Sequence, residues 1–80
     1  MKIGEEIESE LKKKGISQAT ICKRADIYPS LLSNIIAGER RLDIKTAIKL
    51  ELFFIKTANY WLIKQLEEDI KAAKVEDGRF

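Results

Sequence analysis

The 80 residues are 45% apolar and 35% charged, a composition that fits one small soluble globular domain with a limited core and not a disordered chain. One cysteine and no histidine exclude an internal disulfide framework and argue against a structural zinc site. With no glycine-rich phosphate loop either, the scattered carboxylates and lysines form no catalytic motif, so the sequence predicts a protein that is not an enzyme and needs no cofactor or metal. No apolar run approaches the ~20 residues that cross a bilayer, and the first residues lack a signal-peptide pattern; a cytoplasmic location with no membrane partner is expected.

Net charge is only +2, but its distribution is uneven. Residues 1–15 balance four basic against four acidic groups. Residues 16–50 carry six basic groups (Lys23, Arg24, Arg40, Arg41, Lys45, Lys49) and three acidic ones. Residues 51–80 carry five basic and six acidic groups. The excess lies in the middle of the chain, where a polyanion would be met, although an ordinary mixed surface could show the same balance.

The periodicities predict five helices and no strands. In the first, residues 3–14, Ile3, Ile7 and Leu11 recur every four residues and Gly15 supplies a left-handed cap. Glu5, Glu6 and Glu8 near its start and Lys12, Lys13 and Lys14 at its end complement the helix dipole. The second is capped by Ser17 and reaches Arg24 or Ala25, with Ile21 and Ala25 facing inward. The third covers residues 29–37 and stops at Gly38. A basic loop, residues 39–42, precedes Asp43, the cap of a fourth helix over residues 44–54. There Ile44, Ala47, Ile48 and Leu50 or Glu51 are expected along one side. Thr57 can cap a fifth helix over residues 58–74, whose Trp61, Leu62, Leu66, Ile70 and Ala73 form a near-heptad stripe. Residues 1–75 then make the domain, and residues 76–80 are expected to be a flexible tail.

Pro29 is the only proline and stands at the first position of the third helix, where its missing N–H and fixed φ suit a helix start. It pushes Tyr28 into an extended conformation and sharpens the preceding turn around Asp26, Ile27 and Tyr28. The result is a short helix, a tight turn and a second short helix: a helix-turn-helix. Leu32, Ile35 and Ile36 fall on the inner face of the second of these helices. Ser30, Ser33, Asn34 and Ala37 fall on the outer one, with Leu31 at the edge. Such a slim, uncharged face suits the DNA major groove, where asparagine pairs bidentately with adenine and serines meet bases or phosphates. An amphipathic surface helix that touches nothing has the same pattern. Tyr28, Ser30, Leu31, Ser33 and Asn34 are the candidate base readers. Ser17, Gln18, Arg40, Arg41 and Lys45 bracket them as candidate phosphate contacts. Cys22 is expected to be a packing residue where the two helices cross, not a reactive thiol.

I-S-Q-x-x-I-C at 16–22 followed by D-I-Y-P-S-L-L-S-N-I-I-A-G at 26–38 resembles the helix-turn-helix of the lambda-repressor and Cro-like superfamily. G-E-E-I at 4–7, G-I-S-Q at 15–18, G-E-R-R-L at 38–42, T-A-I-K-L at 46–50 and T-A-N-Y-W-L at 57–62 further resemble HigA-type antitoxins, or plasmid-maintenance antidote proteins, over residues 4–65. That resemblance implies an all-α, compact five-helix lambda-repressor-like DNA-binding domain. It implies a repressor that binds a double-stranded operator upstream of its own operon, usually as a homodimer, and neutralises a small ribonuclease toxin. It further implies a phosphate contact at Gln18, a base contact at Ser30 and a DNA contact at Arg40. The chain departs from the pattern in several places. Pro29 replaces the first reading side chain and Asn34 a central arginine, which shifts specificity to Tyr28, Ser30, Ser33, Asn34 or DNA shape. Asp26 replaces the turn glycine. Ile55 replaces a glycine before the last helix and Ala58 a proline near its start, which predicts a more helical linker there.

The segment L-E-L-F-F-I at 50–55 is more apolar than one helix face requires. Phe53 and Phe54 could simply fill the core. Alternatively Leu52 and Phe53, with Leu66 and Ile70, form a two-fold interface. A dimer would place two reading helices ~34 Å apart on a pseudo-palindromic site. Two other readings share the fold: a phage-type or housekeeping regulator without a toxin, and a protein-interaction module that has lost DNA binding.

Overall fold

The computed structural model describes residues 2–77, which form α1 (Ile3–Lys14), α2 (Gln18–Ala25), α3 (Pro29–Ile36), α4 (Ile44–Glu51) and α5 (Ala58–Asp77). No strand occurs among the described residues. The all-helical expectation and the first three helices agree with the sequence reading.

The ends of α1, α2 and α3 share one device. Gly15 (φ 65°), Asp26 (φ 56°) and Gly38 (φ 82°) each take the left-handed conformation just past a helix. In each case the next amide reaches back to a carbonyl five residues earlier: Ile16 to Leu11 at 3.0 Å, Ile27 to Cys22 at 2.9 Å and Glu39 to Asn34 at 2.9 Å. This is the Schellman closure, which satisfies carbonyls that a helix end leaves unpaired. Asp26 manages it without being glycine because a short polar side chain tolerates that region.

α1 packs on α3 and α5, α2 on α3, and α4 on α5. The core they enclose centres on Ile7, Ile21, Leu32, Ile35, Leu50 and Trp61, all fully buried. Phe54 closes one end against Trp61, with ring centroids 5.8 Å apart at 56°.

Three expectations are corrected. α4 ends at Glu51, not at residue 54, and the following linker is non-helical. The chain must reverse between two helices that pack on each other, and residues 52–57 make that reversal. The Glu51 carboxylate then accepts the Ala58 amide at 2.7 Å, and the Thr57 hydroxyl accepts that of Tyr60 at 3.3 Å, so the last residue of α4 and Thr57 cap α5 together. Second, the inward face of α4 is Thr46, Ala47 and Leu50, whereas Ile44 and Ile48 are exposed. Third, beyond Leu62 the apolar stripe of α5 faces outward: Leu66, Ile70 and Ala73 are exposed. α5 also runs three residues past its expected end, through Glu76 and Asp77. The rest of the expected tail, residues 78–80, lies outside the described residues.

Candidate nucleic-acid interface

The helix-turn-helix is locked from three sides. Ser17 caps α2 by accepting the Thr20 amide at 3.1 Å and donates to the Thr20 hydroxyl at 2.8 Å. Ile27, buried in the turn, anchors the link between the helices. Lys49 of α4 donates to the Asp26 carbonyl at 2.6 Å, fixing the left-handed residue from outside. Tyr28 is extended (φ −62°, ψ 130°) and Pro29 opens α3, as the sequence predicted. Cys22 is buried, and burial pushes its thiol pKa up, which disfavours the thiolate and fits a packing role.

α3 is held by fully buried Leu32 and Ile35 and by partly buried Leu31 and Ile36. Its other face presents Ser30, Ser33, Asn34 and Ala37 to solvent, with Tyr28 79% exposed at its N-terminal end. The candidate base readers therefore lie together on one accessible, uncharged face. Leu31 is the exception, half-covered at its edge.

The flanking groups divide. Arg40 and Lys45 are exposed, as are Lys23 and Arg24 at the end of α2, and none of the four is ion-paired among the described residues. Gln18 is half-buried beside Ser17. Arg41 is committed elsewhere: its Nε lies 2.7 Å and its Nη2 2.6 Å from one carboxylate oxygen of Asp69 on α5. Lys49 is likewise spent on the turn. Sequence counting credits both to the polyanion-binding surface; the structure gives each an internal acceptor.

Asp43 caps α4 through the Thr46 amide (3.1 Å) and hydroxyl (2.6 Å). Partial burial pushes its pKa up, but these hydrogen bonds and the charge of Arg40 outweigh that and hold it below the usual carboxylate range. The cap thus stays ionised beside the loop that leaves α3.

A separate ion cluster ties α1 to α5 and to the linker before it. Lys56 lies 2.5 Å from Glu6 and 3.5 Å from Glu10, with Lys64 3.6 Å from Glu6. The Lys56 ammonium also stands over the rings of Tyr60 and Trp61, 4.7 and 5.6 Å from their centroids. The hydrogen bond to Glu6 raises its pKa to about 12, against some loss from burial.

Of the suggested two-fold contacts, Leu52 is 78% exposed, Leu66 and Ile70 are exposed, and Phe53 is half-buried against the core. Ile44 and Ile48 extend the exposed apolar set on α4. An open hollow beside them is lined by Ile44, Lys45, Leu62 and Leu66. Among the described residues no cluster of three or more acidic or cysteine side chains could hold a metal ion. No helix there is long and apolar enough to cross a membrane.

No curated protein matches the chain. A protein-family model described as helix-turn-helix does match, over residues 7–61, from the first turns of α1 into α5 and across the whole α2–turn–α3 unit. That span is more than half of the chain, and its geometry is the one just described. The chain belongs to the helix-turn-helix family of the lambda-repressor and Cro type, a family of DNA-binding regulators.

Proposed function

We propose that this chain is a sequence-specific repressor which reads operator DNA as a homodimer, and that it is the antitoxin of a toxin–antitoxin pair. The observation that carries the DNA reading is the exposed, uncharged face of α3, opposite the fully buried Leu32 and Ile35. Short side chains let a helix enter the ~12 Å major groove closely, and the Asn34 amide can pair with adenine there. Arg40 and Lys45 on one side and Gln18 with the first amides of α2 on the other are placed to meet phosphates.

Exposed Leu52, Leu66 and Ile70 support a two-fold contact, and isologous pairing would give the half-site spacing that operators of this kind require. The antitoxin role rests on the short motifs from Gly4 to Leu62, the last of which contains Tyr60 and Trp61. The competing reading, a protein-interaction module without DNA affinity, is favoured by one observation: Arg41 and Lys49 are occupied, leaving a weakly basic interface.

Fluorescence anisotropy on a duplex from upstream of the chain's own gene, with random-sequence competitor, separates these. Specific binding that weakens steeply with salt is expected, because bound cations displace counterions from DNA. Binding without sequence preference, or none, contradicts the repressor reading. Co-expression with the adjacent gene product, followed by size exclusion with light scattering, tests the toxin partner and the dimer. A monomer at high concentration removes the dimer from the proposal for the free protein.

A further inference from the structure

We infer that Asp69 is a positioning residue for DNA binding: an internal competitor that holds Arg41 off the phosphate backbone and so weakens contact with all DNA. The inference rests on the DNA-binding reading above.

Asp69 belongs to α5, yet its carboxylate reaches the loop that leaves the reading helix. One oxygen receives both Nε and Nη2 of Arg41. The other accepts the Gln65 side-chain amide at 2.9 Å, and the buried Gln65 in turn accepts the Leu42 amide at 2.8 Å. The carboxylate is therefore oriented by a buried partner before Arg41 arrives. This is not a chance meeting of two free surface chains.

The same loop is tied to α3, because the Asn34 carbonyl accepts the amides of both Glu39 and Arg40. Arg40 and Arg41 thus leave one rigid point, one with no ion pair among the described residues and the other turned onto α5. Arg41 lies along an open groove of about 510 Å³, lined also by Gly38, Arg40, Gln65 and Glu68, which leaves space for its side chain to swing.

A carboxylate and a phosphate make the same demand on a guanidinium, so one Arg41 cannot serve both with the same N–H groups. The Asp69 carboxylate is only 29% exposed, against 74% for Arg41, and is already held by Gln65, so the pair escapes part of the ordering cost that weakens two free surface side chains. While the pair holds, Arg41 adds no phosphate contact on any sequence.

The test measures affinity against salt concentration for the full chain on specific and random duplexes. Asp69→Asn keeps an oxygen for Gln65 but removes the competing charge. Glu67→Gln, an exposed neutralisation on the same helix, controls for overall charge. Asp69→Asn is expected to bind both duplexes more tightly and to steepen the salt dependence by about one phosphate contact. Its affinity should fall about three- to fourfold more than the wild type's between about 50 and 200 mM salt. Arg41→Ala alone should leave the slope unchanged, and the double variant should return to the wild-type slope. A purely structural role for Asp69 would move the melting temperature and not the slope. An Asp69→Asn slope equal to that of Glu67→Gln overturns the inference, as does a flattened slope in Arg41→Ala alone. If the wild type binds DNA specifically in those cases, the functional reading survives. If the wild type does not bind, both fall.

Discussion

Gly4 of α1 and Ile36 of α3 touch backbone to backbone. A Cβ built on Gly4 would overlap the Ile36 carbonyl group, coming 2.7 Å from its carbon, and would stand 2.9 Å from the Ile35 carbonyl oxygen. The glycine is thus required by close approach, not by a special dihedral angle, and the approach sets where the reading helix lies. Gly4→Ala would gain up to ~1 kcal/mol of helix propensity. It would lose more by pushing α3 outward, since backbone cannot yield as a side-chain tip can. A net destabilisation of about 1–3 kcal/mol is expected in urea unfolding, with weaker specific DNA binding. An unchanged midpoint would show that α1 and α3 separate at no cost.

The two faces of α3 separate stability from recognition. Leu32→Ala empties a fully buried position and should cost about 2–5 kcal/mol of folding stability. Asn34→Ala alters an exposed side chain and should leave the melt unchanged while costing roughly 1–3 kcal/mol at one base position. Parallel thermal melts and a panel of single-base operator variants check both. Equal losses of stability would mean that the assigned faces are wrong.

Neighbouring arginines should behave differently. Arg40→Ala is expected to weaken binding to every sequence and to reduce the salt slope by about one. The order of Arg40→Ala and Arg41→Ala in a salt titration is the readout. A larger slope change from Arg41 would contradict the commitment of its guanidinium to Asp69.

The Glu6–Lys56 pair gives a pH signature. Burial raises the Glu6 pKa, but the hydrogen bonds from Lys56 and Tyr60 and the charges of Lys56 and Lys64 outweigh this and hold it below its ordinary value. A carboxyl depressed in the folded state contributes stability above its unfolded pKa of ~4.3, and loses it as pH falls through the lower folded value. Lys56, raised to about 12, contributes fully below its unfolded pKa and loses that contribution as pH rises through about 12. Stability from this pair is therefore level around neutrality. Glu6→Gln should lower stability there by ~1–2 kcal/mol and flatten the decline in acid, measured by urea unfolding between pH 3 and 7. An acid decline as steep as the wild type's would remove Glu6 from the account.

Much of this fold is legible in the chain itself. Gly15, Ser17, Pro29, Gly38 and Asp43 mark helix ends by chemistry that needs no tertiary partner. The groups that reading missed depend on a partner far along the chain. Gln65, Glu68 and Asp69 look like the solvated side of α5, yet they continue the inward phase of Ala58, Trp61 and Leu62. Gln65 bonds the Leu42 amide, Glu68 accepts the Ile3 amide at 2.6 Å, and Asp69 holds Arg41. Their helical spacing was the available signal, but polar identity pointed the other way. Ile44 and Ile48 fail in the opposite sense: apolar identity suggested burial, while Thr46, small and bonded to Asp43, took the inward place. The candidate reading face was legible because one short helix held both its buried and exposed sides. The division between Arg40 and Arg41 was not, because Asp69 lies 28 residues away.

Binding-site selection from a randomised duplex pool asks whether this face of α3 reads DNA, comparing the wild type with a Ser30→Ala, Ser33→Ala, Asn34→Ala triple variant whose melt is first shown to be unchanged. The wild type should enrich one motif, with half-sites about one DNA turn apart, and the variant should relax or change it at the positions α3 reads. Enrichment of the same motif by both proteins, or of none by the wild type, would contradict the claim that this face of α3 reads DNA.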